Sequence, residues 1–351
     1  MKTIIITGAG GFIGSHLAER LKNEGNYIIG IDIKYPEFKN HLEICNEFHI
    51  IDLRNQLDVD NFTASKKVDQ IFHLAADMGG MGYVFGKDAQ ILQNSGRIDL
   101  NIFDWAHKNG INDILFTSSA CRYPEELQNG DNVMLKEDMA YPAAPQDGYG
   151  WEKIFGELLC RFYHENHNMN THVVAFHNIY GENGTWCGGK EKSPAAICRK
   201  VAEAKDGDSI EIWGDGTQLR SYCHVSDAIE GLIRTMSTDF HSAINIGTDR
   251  CISIKDFTQM IIDISGKNLT IKYVDGAIGV KSRNSDNTLS KQLLNWVPAV
   301  ELEDGMTVLY NWILQQVQQQ NNEQWIYESP DSGRTIFKRK VNEINKREQV
   351  K

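Results

Sequence analysis

The sequence predicts an α/β fold: a doubly wound parallel sheet with a smaller C-terminal substrate-binding region. Three observations carry this reading. Short β-branched runs alternate with helical patterns through the first half, as parallel sheets wound with helices require. A glycine-rich turn joins the first strand to the first helix. After about residue 177 the alternation weakens into a polar, Gly-rich loop and short elements.

In chain order, "TIIIT" (3–7) predicts the first strand and residues 12–24 the helix after it. "YIIGID" (27–32), "FHIID" (48–52) and "VDQIFHLAA" (68–76) predict strands two to four. A helix over 88–108 leads to "NDILFTSS" as strand five, and a helix over 149–166 to the strand "THVVAF" (171–176). Right-handed crossovers make a doubly wound sheet the economical arrangement. Beyond "NIYGENGTWCGGKEKSP" come strands "SIEIW" and "SAINIG" and helices over 193–204, 226–237, 254–264 and 303–320. The stretch "QQVQQQNNEQ" (315–324) leads into a tail in which cations outnumber acids; it reads as a disordered end or as an arm docking on a partner subunit. No internal repeat is evident.

Composition narrows the functional classes. The 351 residues, 41% hydrophobic and 24% charged, are ordinary for a globular protein. A net charge of −11 argues against a general nucleic-acid or anionic-membrane surface, though it leaves room for a local basic pocket. No apolar run approaches a membrane span, and the run in "MKTIII" ends at once in "TGAGG". Seven cysteines (45, 121, 160, 187, 198, 223 and 251) show no CxxC pairing, which fits reduced thiols in a cytoplasmic protein. No His/Cys/Asp/Glu set has metal-ligand spacing, so no metal is expected.

"TGAGGFIG" places Gly8, Gly11 and Gly14 after a strand and at the opening of a helix. Glycines let the backbone approach a pyrophosphate, which the helix N-terminus binds through free N–H groups. Asp32 ends the second strand, where a carboxylate accepts the adenosine ribose hydroxyls and repels a 2′-phosphate, favouring NAD over NADP. Asp52 suits an adenine contact. The expected cofactor contacts are therefore Gly8, Gly11, Phe12, Ile13, Gly14, Asp32 and Asp52, in a Rossmann-type domain of residues 1–176 plus about 214–249.

The chemistry is expected further on. "YGWEK" puts Tyr149 and Lys153 at i and i+4, on one helix face. A lysine beside a tyrosine lowers the phenol pKa, so that it exchanges a proton with a sugar hydroxyl near neutral pH. Lys153 and Tyr149 also belong to the expected cofactor contacts. Upstream, "TSSACRYPEE" (117–126) sets Cys121 and Arg122 behind two serines at a strand end.

The glycine turn, the paired serines and YxxxK resemble the extended short-chain dehydrogenase/reductases acting on nucleotide sugars. "RSYCHVSDA" and "NIG" resemble that family's second-half signatures. "LAADMGGMG", "SSAC-YPE", "PQDGYGWEK", "FHNIYG", "GTW-GGKEKSPAA", "WGDG-Q-RS", "RNSDN" and "LNWVP" narrow the resemblance to its GDP-mannose 3,5-epimerase branch, over residues 1 to about 317. The resemblance implies that Ser119 and Tyr149 flank the sugar O4 and that Lys153 holds the nicotinamide ribose. Cys121 and Lys192 would be base and acid on opposite ring faces once C4 is a ketone. Gly79, Ser119 and Ala120 would line the sugar, with Asn178, Glu191, Lys200, Gln218, Arg220 and Arg283 facing sugar or diphosphate. It also implies a nucleotide-sugar-binding region over about 177–213 and 250–320, a GDP-hexose or GDP-heptose substrate, and a homodimer.

Some positions depart from the branch. Arg122 stands where an apolar residue is expected, Cys187 replaces a basic position, and Trp151 and Gly148 vary the surroundings of the tyrosine. A thiol serves as a base only if its environment lowers its pKa, so Arg122, turned inward, would either tune Cys121 or recognise a different sugar. A GDP-manno-heptose epimerase or a single-centre epimerase is the nearest alternative. A 4,6-dehydratase would carry Asp-Glu where Cys121 and Arg122 stand, and a 4-epimerase needs no Cys/Lys pair. A noncatalytic NAD sensor would not keep Tyr149 and Lys153. His177 and His224 read as structural, as do Cys45, Cys160, Cys198, Cys223 and Cys251.

Overall fold

The computed structural model describes residues 1–130, 132–276, 279–323, 325–329, 335–340 and 348–350. Seven parallel strands form the central sheet: β1 (Thr3–Thr7), β2 (Tyr27–Asp32), β3 (Glu47–Ile50), β4 (Gln70–His73), β5 (Asp113–Ser119), β6 (Asn170–Phe176) and β7 (Ala243–Ile246). Their order is β7-β6-β5-β4-β1-β2-β3, so the order reverses between β1 and β4, where open α/β sheets bind ligands. The longer helices are α1 (Phe12–Asn23), α2 (Asp88–Lys108), α3 (Gly148–His167), α4 (Ser193–Glu203), α5 (Val225–Thr235), α6 (Ile254–Ser265) and α7 (Leu302–Glu323).

Alternation along the strands splits the core into two layers, because successive side chains point to opposite faces. Ile4, Ile6 and Ile28 pack with Leu17 and Leu21 of α1 and Ile229 and Leu232 of α5. Ile5, Ile29, Ile71 and Phe116 pack on the other side with Ile102 and Phe103 of α2 and Cys160 of α3. A third core unites Ile197 and Val201 of α4, Phe257 and Ile261 of α6, and Met306, Leu309 and Ile313 of α7.

The expected strand over 68–76 is paired only over Gln70–His73. Beyond His73 the Leu74 N–H reaches the Thr7 carbonyl at 3.2 Å, and the Thr7 hydroxyl accepts the Leu74 and Ala75 N–H groups, each at 3.2 Å, so the end of β1 satisfies them where the regular ladder stops. The glutamine-rich stretch continues α7 as far as Glu323, since Ile313 and Val317 anchor it to the third core. Beyond it, the tail forms short antiparallel strands over Trp325–Glu328, Phe337–Lys340 and Glu348–Gln349.

A small sheet serves the site directly. Leu219–Ser221 lies between Cys251–Ser253 and Ser282–Ser285, and the last of these pairs in turn with Met134–Leu135. Its register sets Arg220 beside Arg283.

Candidate active site

The cofactor cradle is built by close approach. A Cβ on Gly14 would lie 2.1 Å from the Gly8 carbonyl oxygen, so only glycine lets α1 start that close to the end of β1. Gly11 caps α1 without a side-chain hydrogen bond, and no acid occupies the first turn; the N–H groups of Phe12, Ile13 and Gly14 are left for an anion. Asp32 closes the rim: its Oδ2 accepts the Gly10 N–H at 2.9 Å and its Oδ1 the Lys34 N–H at 3.2 Å. Burial raises its carboxyl pKa, while these N–H groups oppose the rise. Both Asp52 oxygens accept from the Arg54 guanidinium, at 2.8 and 2.7 Å.

At the end of β5, the Ser119 hydroxyl accepts the Cys121 N–H at 3.2 Å and opens a single 3-10 turn, Ala120–Arg122. Ala120 is buried beneath it. Tyr149 enters from the first turn of α3, which Asp147 caps by accepting the Gly150 N–H at 2.8 Å. Cys121 packs against Tyr149, Val84 and Ile91, and Ser119 favours the Tyr149 phenolate. Lys153 lies one helical turn on, its Nζ 5.4 Å from the Tyr149 ring centroid and 3.1 Å from Glu152 Oε1. Burial opposes its charge, but Glu152, Tyr149 and Asp99 outweigh burial and raise its pKa.

Two expectations about this cluster are corrected. Lys153 does favour the Tyr149 phenolate, yet burial outweighs it and holds the phenol up at about 12 rather than near neutrality. Arg122 does not face Cys121. Its Nε lies 2.8 Å from Glu157 Oε1 and its guanidinium over the Tyr123 ring, both in the interior. A cation on a strand-end turn finds its counter-ion on α3, where Glu157 also accepts the Ser118 hydroxyl at 2.5 Å.

The cation at the thiol is Arg283. Its Nη1 lies 3.1 Å from Cys121 Sγ, and its Nε donates to Gln128 Oε1 at 2.6 Å. Gln128, fully buried, was not legible as a site residue in the sequence; its own donors bond the Tyr123 and Pro124 carbonyls at 3.0 and 3.3 Å. Arg220 donates to the Val280 carbonyl at 2.7 Å, and burial, aided by Arg283, brings its pKa down to about 10. The two arginines are the local basic patch expected beneath a negative overall charge.

Lys192 caps α4 from the Gly-rich loop. Water reaches it, yet protein crowds it, and that burial lowers its ammonium pKa; Cys121 opposes the shift and the charge of Arg283 adds to it. This loop is stapled to the one carrying Gly79, since the Gly80 N–H donates to the Lys190 carbonyl at 2.9 Å. Structure thus brings Ser119, Cys121, Tyr149, Lys153, Lys192, Arg220 and Arg283 into one interacting cluster.

The remaining expected contacts carry bonds of their own. Asn178, at a φ of 45°, donates to the Ser221 carbonyl at 2.9 Å. Glu191 accepts from Gly189 N at 2.6 Å and from Arg199 at 3.0 Å, and Lys200 donates to the Glu211 carbonyl at 2.6 Å. Gln218 is buried beside Asp215. His177, bonded to Asn245 at 3.0 Å, and His224, bonded to Ser226 at 2.8 Å, both bond to neighbours as structural histidines do.

Comparison with known proteins decides the family. Residues 4–247 match the model of the NAD dependent epimerase/dehydratase family. The chain belongs to that family. Its members' cofactor, NAD, fits the cradle described above. Among its relatives is GDP-mannose 3,5-epimerase 1 of Oryza sativa subsp. indica, 45% identical over 323 residues, covering 91% of this chain and 84% of the relative. GDP-mannose 3,5-epimerase of Arabidopsis thaliana is 43% identical, covering 90% and 83%. UDP-glucuronic acid 4-epimerase from Bacillus cereus, solved with UDP-glucuronic acid and NAD, superimposes with a TM-score of 0.73 at 26% identity, covering 90% of this chain and 99% of that one. The chain is thus an NAD-dependent epimerase of nucleotide sugars.

Proposed function

We propose that this enzyme inverts C3, C5 or both in a GDP-mannose-type sugar. The observation that carries the reading is the thiol of Cys121, held 3.1 Å from Arg283, packed against Tyr149 and electrostatically coupled to Lys192. A 4-epimerase has no use for such a thiol and amine. The relatives named GDP-mannose 3,5-epimerase support the same substrate class.

Bound NAD would be held by the Gly8–Gly14 turn, the α1 N-terminus, Asp32 and Lys153, and would supply the hydride acceptor and donor for sugar C4. Tyr149 takes the O4 proton as its phenolate, which burial disfavours and which Lys153, together with the positive charge that bound NAD would bring, favours; Ser119 orients the hydroxyl. The resulting C4 ketone acidifies the C–H bonds at C3 and C5, which is why oxidation precedes inversion. Cys121 removes a proton from one face and Lys192 returns one to the other, its lowered pKa easing that donation. Arg220 suits the diphosphate, because a guanidinium binds its oxygens in pairs, while Arg283 stays with the thiol.

The exposed apolar residues Leu92 and Leu100 of α2 and Trp151 and Phe162 of α3 support homodimerisation through this helix pair. The unpaired cysteines support a reducing compartment, the cytoplasm. The test is conversion of GDP-mannose and of a GDP-manno-heptose, with products read by NMR. Inversion at C3 or C5 is expected; inversion at C4 alone would overturn the proposal. Sedimentation should show a dimer that Trp151→Glu dissociates, and a monomeric wild type would refute the helix-pair interface.

A further inference from the structure

Behind Lys153 lies a buried polar chain that the chemistry above does not use. Thr7, His73, Asp99 and Glu152 are each at most 1% exposed and run from the end of β1, beside the cofactor turn, across to α3. Their hydrogen bonds have a determinable direction. The Thr7 hydroxyl already accepts two N–H groups, from Leu74 and Ala75, so its own proton points to His73 Nδ1 at 2.7 Å. With Nδ1 accepting, a neutral His73 carries its proton on Nε2 and donates it to Asp99 Oδ1 at 3.1 Å. Burial keeps His73 neutral, with a pKa down at about 3.

At the other end, Lys153 Nζ faces Glu152 Oε1 at 3.1 Å. Between the ends, the Asp99 and Glu152 carboxyls face each other, and Asp99 Oδ2 and Glu152 Oε2 are buried with no other hydrogen-bond partner. Two carboxylates cannot bond each other, and two adjacent buried anions are expensive. A single proton resolves both problems and leaves the pair with one negative charge to balance Lys153.

We infer that Asp99 and Glu152 share one proton, and that this proton keeps Lys153 and Tyr149 competent for the oxidation of sugar C4. The inference rests on the roles given to Tyr149 and Lys153 above. The titratable groups facing the pair are His73 from β4 and Lys153, Tyr149 and Cys160 from α3. Loss of the shared proton places a second anion beside Tyr149 and opposes formation of its phenolate. It also draws Lys153 toward Glu152 and away from the ribose. Asp99 and Glu152 are therefore positioning residues, and C4 oxidation falls as the pair ionises. Burial raises both carboxyl pKa values, Asp99 to about 6 and Glu152 to about 8, so the fall lies on the alkaline side of neutrality.

The test uses the full-length NAD-loaded enzyme with Asp99→Asn and Glu152→Gln, whose amides supply the missing donor permanently. Infrared difference spectra, wild type minus variant, should show a carboxylic-acid carbonyl band at neutral pH that disappears on raising the pH. NAD reduction by GDP-mannose, followed by absorbance, should persist in Asp99→Asn with its alkaline limb displaced upward by about one pH unit or more. Absence of the carbonyl band at every pH overturns the shared proton, and an unmoved alkaline limb in both variants overturns its role. If no GDP-sugar reduces the cofactor even in the wild type, the functional reading fails, while the infrared band still decides the proton.

Discussion

Gly150→Ala is a sharp test of how the site is assembled, because Gly150 is where α3 touches the Cys121 turn. A Cβ there would stand 2.3 Å from the Cys121 carbonyl oxygen and 2.6 Å from Pro145 Cβ. Real Cβ atoms keep beyond 3.0 Å, so the turn and the helix must separate by about 0.7 Å or more. Both neighbours are rigid, one being backbone and the other a proline. The helix gains up to about 1 kcal/mol from alanine, while overpacking costs about 1–3 kcal/mol, so the protein stays folded with slightly lower stability. Catalysis suffers more. Moving a reacting group by about 1 Å costs on the order of 100-fold, and here the displaced group is Cys121 relative to Tyr149. Solvent deuterium entry at C3 and C5 of GDP-mannose, read by NMR, should fall about 30- to 100-fold, with the thermal midpoint only a few degrees lower. Exchange within about threefold of wild type would refute the idea that this contact sets the thiol's position.

Other variants probe separate links. Arg283→Ala should slow deuterium exchange by about 10- to 100-fold, the worth of one charge-assisted hydrogen bond, while NAD reduction at C4 changes little; equal loss of both would contradict its place at Cys121. Arg122→Met leaves Glu157 as a buried unpaired carboxylate and should cost about 3–5 kcal/mol in urea unfolding. Restoration by adding Glu157→Gln is expected, and a changed sugar preference in Arg122→Met at full stability would contradict the structural role. Glu152 titrates higher folded, at about 8, than its ordinary 4.5, so the unfolded chain releases its proton first as pH rises. Stability should therefore decline between those values, and Glu152→Gln should flatten the decline; an identical slope in wild type and variant would count against it.

Much of the fold was legible because its signals are local. The β-branched runs, the glycine turn and the apolar periodicity place β1, β2 and α2 at the boundaries found. The line "YGWEK" gives Tyr149 and Lys153 because a four-residue helical spacing already fixes their shared face. Long-range pairings were not legible. Arg283 meets Cys121 across 162 residues through the register of a small sheet, and nothing near either residue announces it. Arg122 looked available to the thiol because its counter-ion, Glu157, lies on another element. The Tyr149 phenol was misjudged for a related reason: the lysine is visible in the sequence, whereas the burial that outweighs it is a property of the packed site.

The central claim is that Cys121 performs proton exchange next to a C4 redox centre that does not need it. Its most direct test pairs wild type with Cys121→Ser in deuterated water with GDP-mannose, reading C3 and C5 deuterium by NMR and cofactor reduction by absorbance. The account predicts deuterium in the wild type, none in the variant, and cofactor reduction in both. Exchange at neither carbon in the wild type, or full exchange in Cys121→Ser, would contradict it.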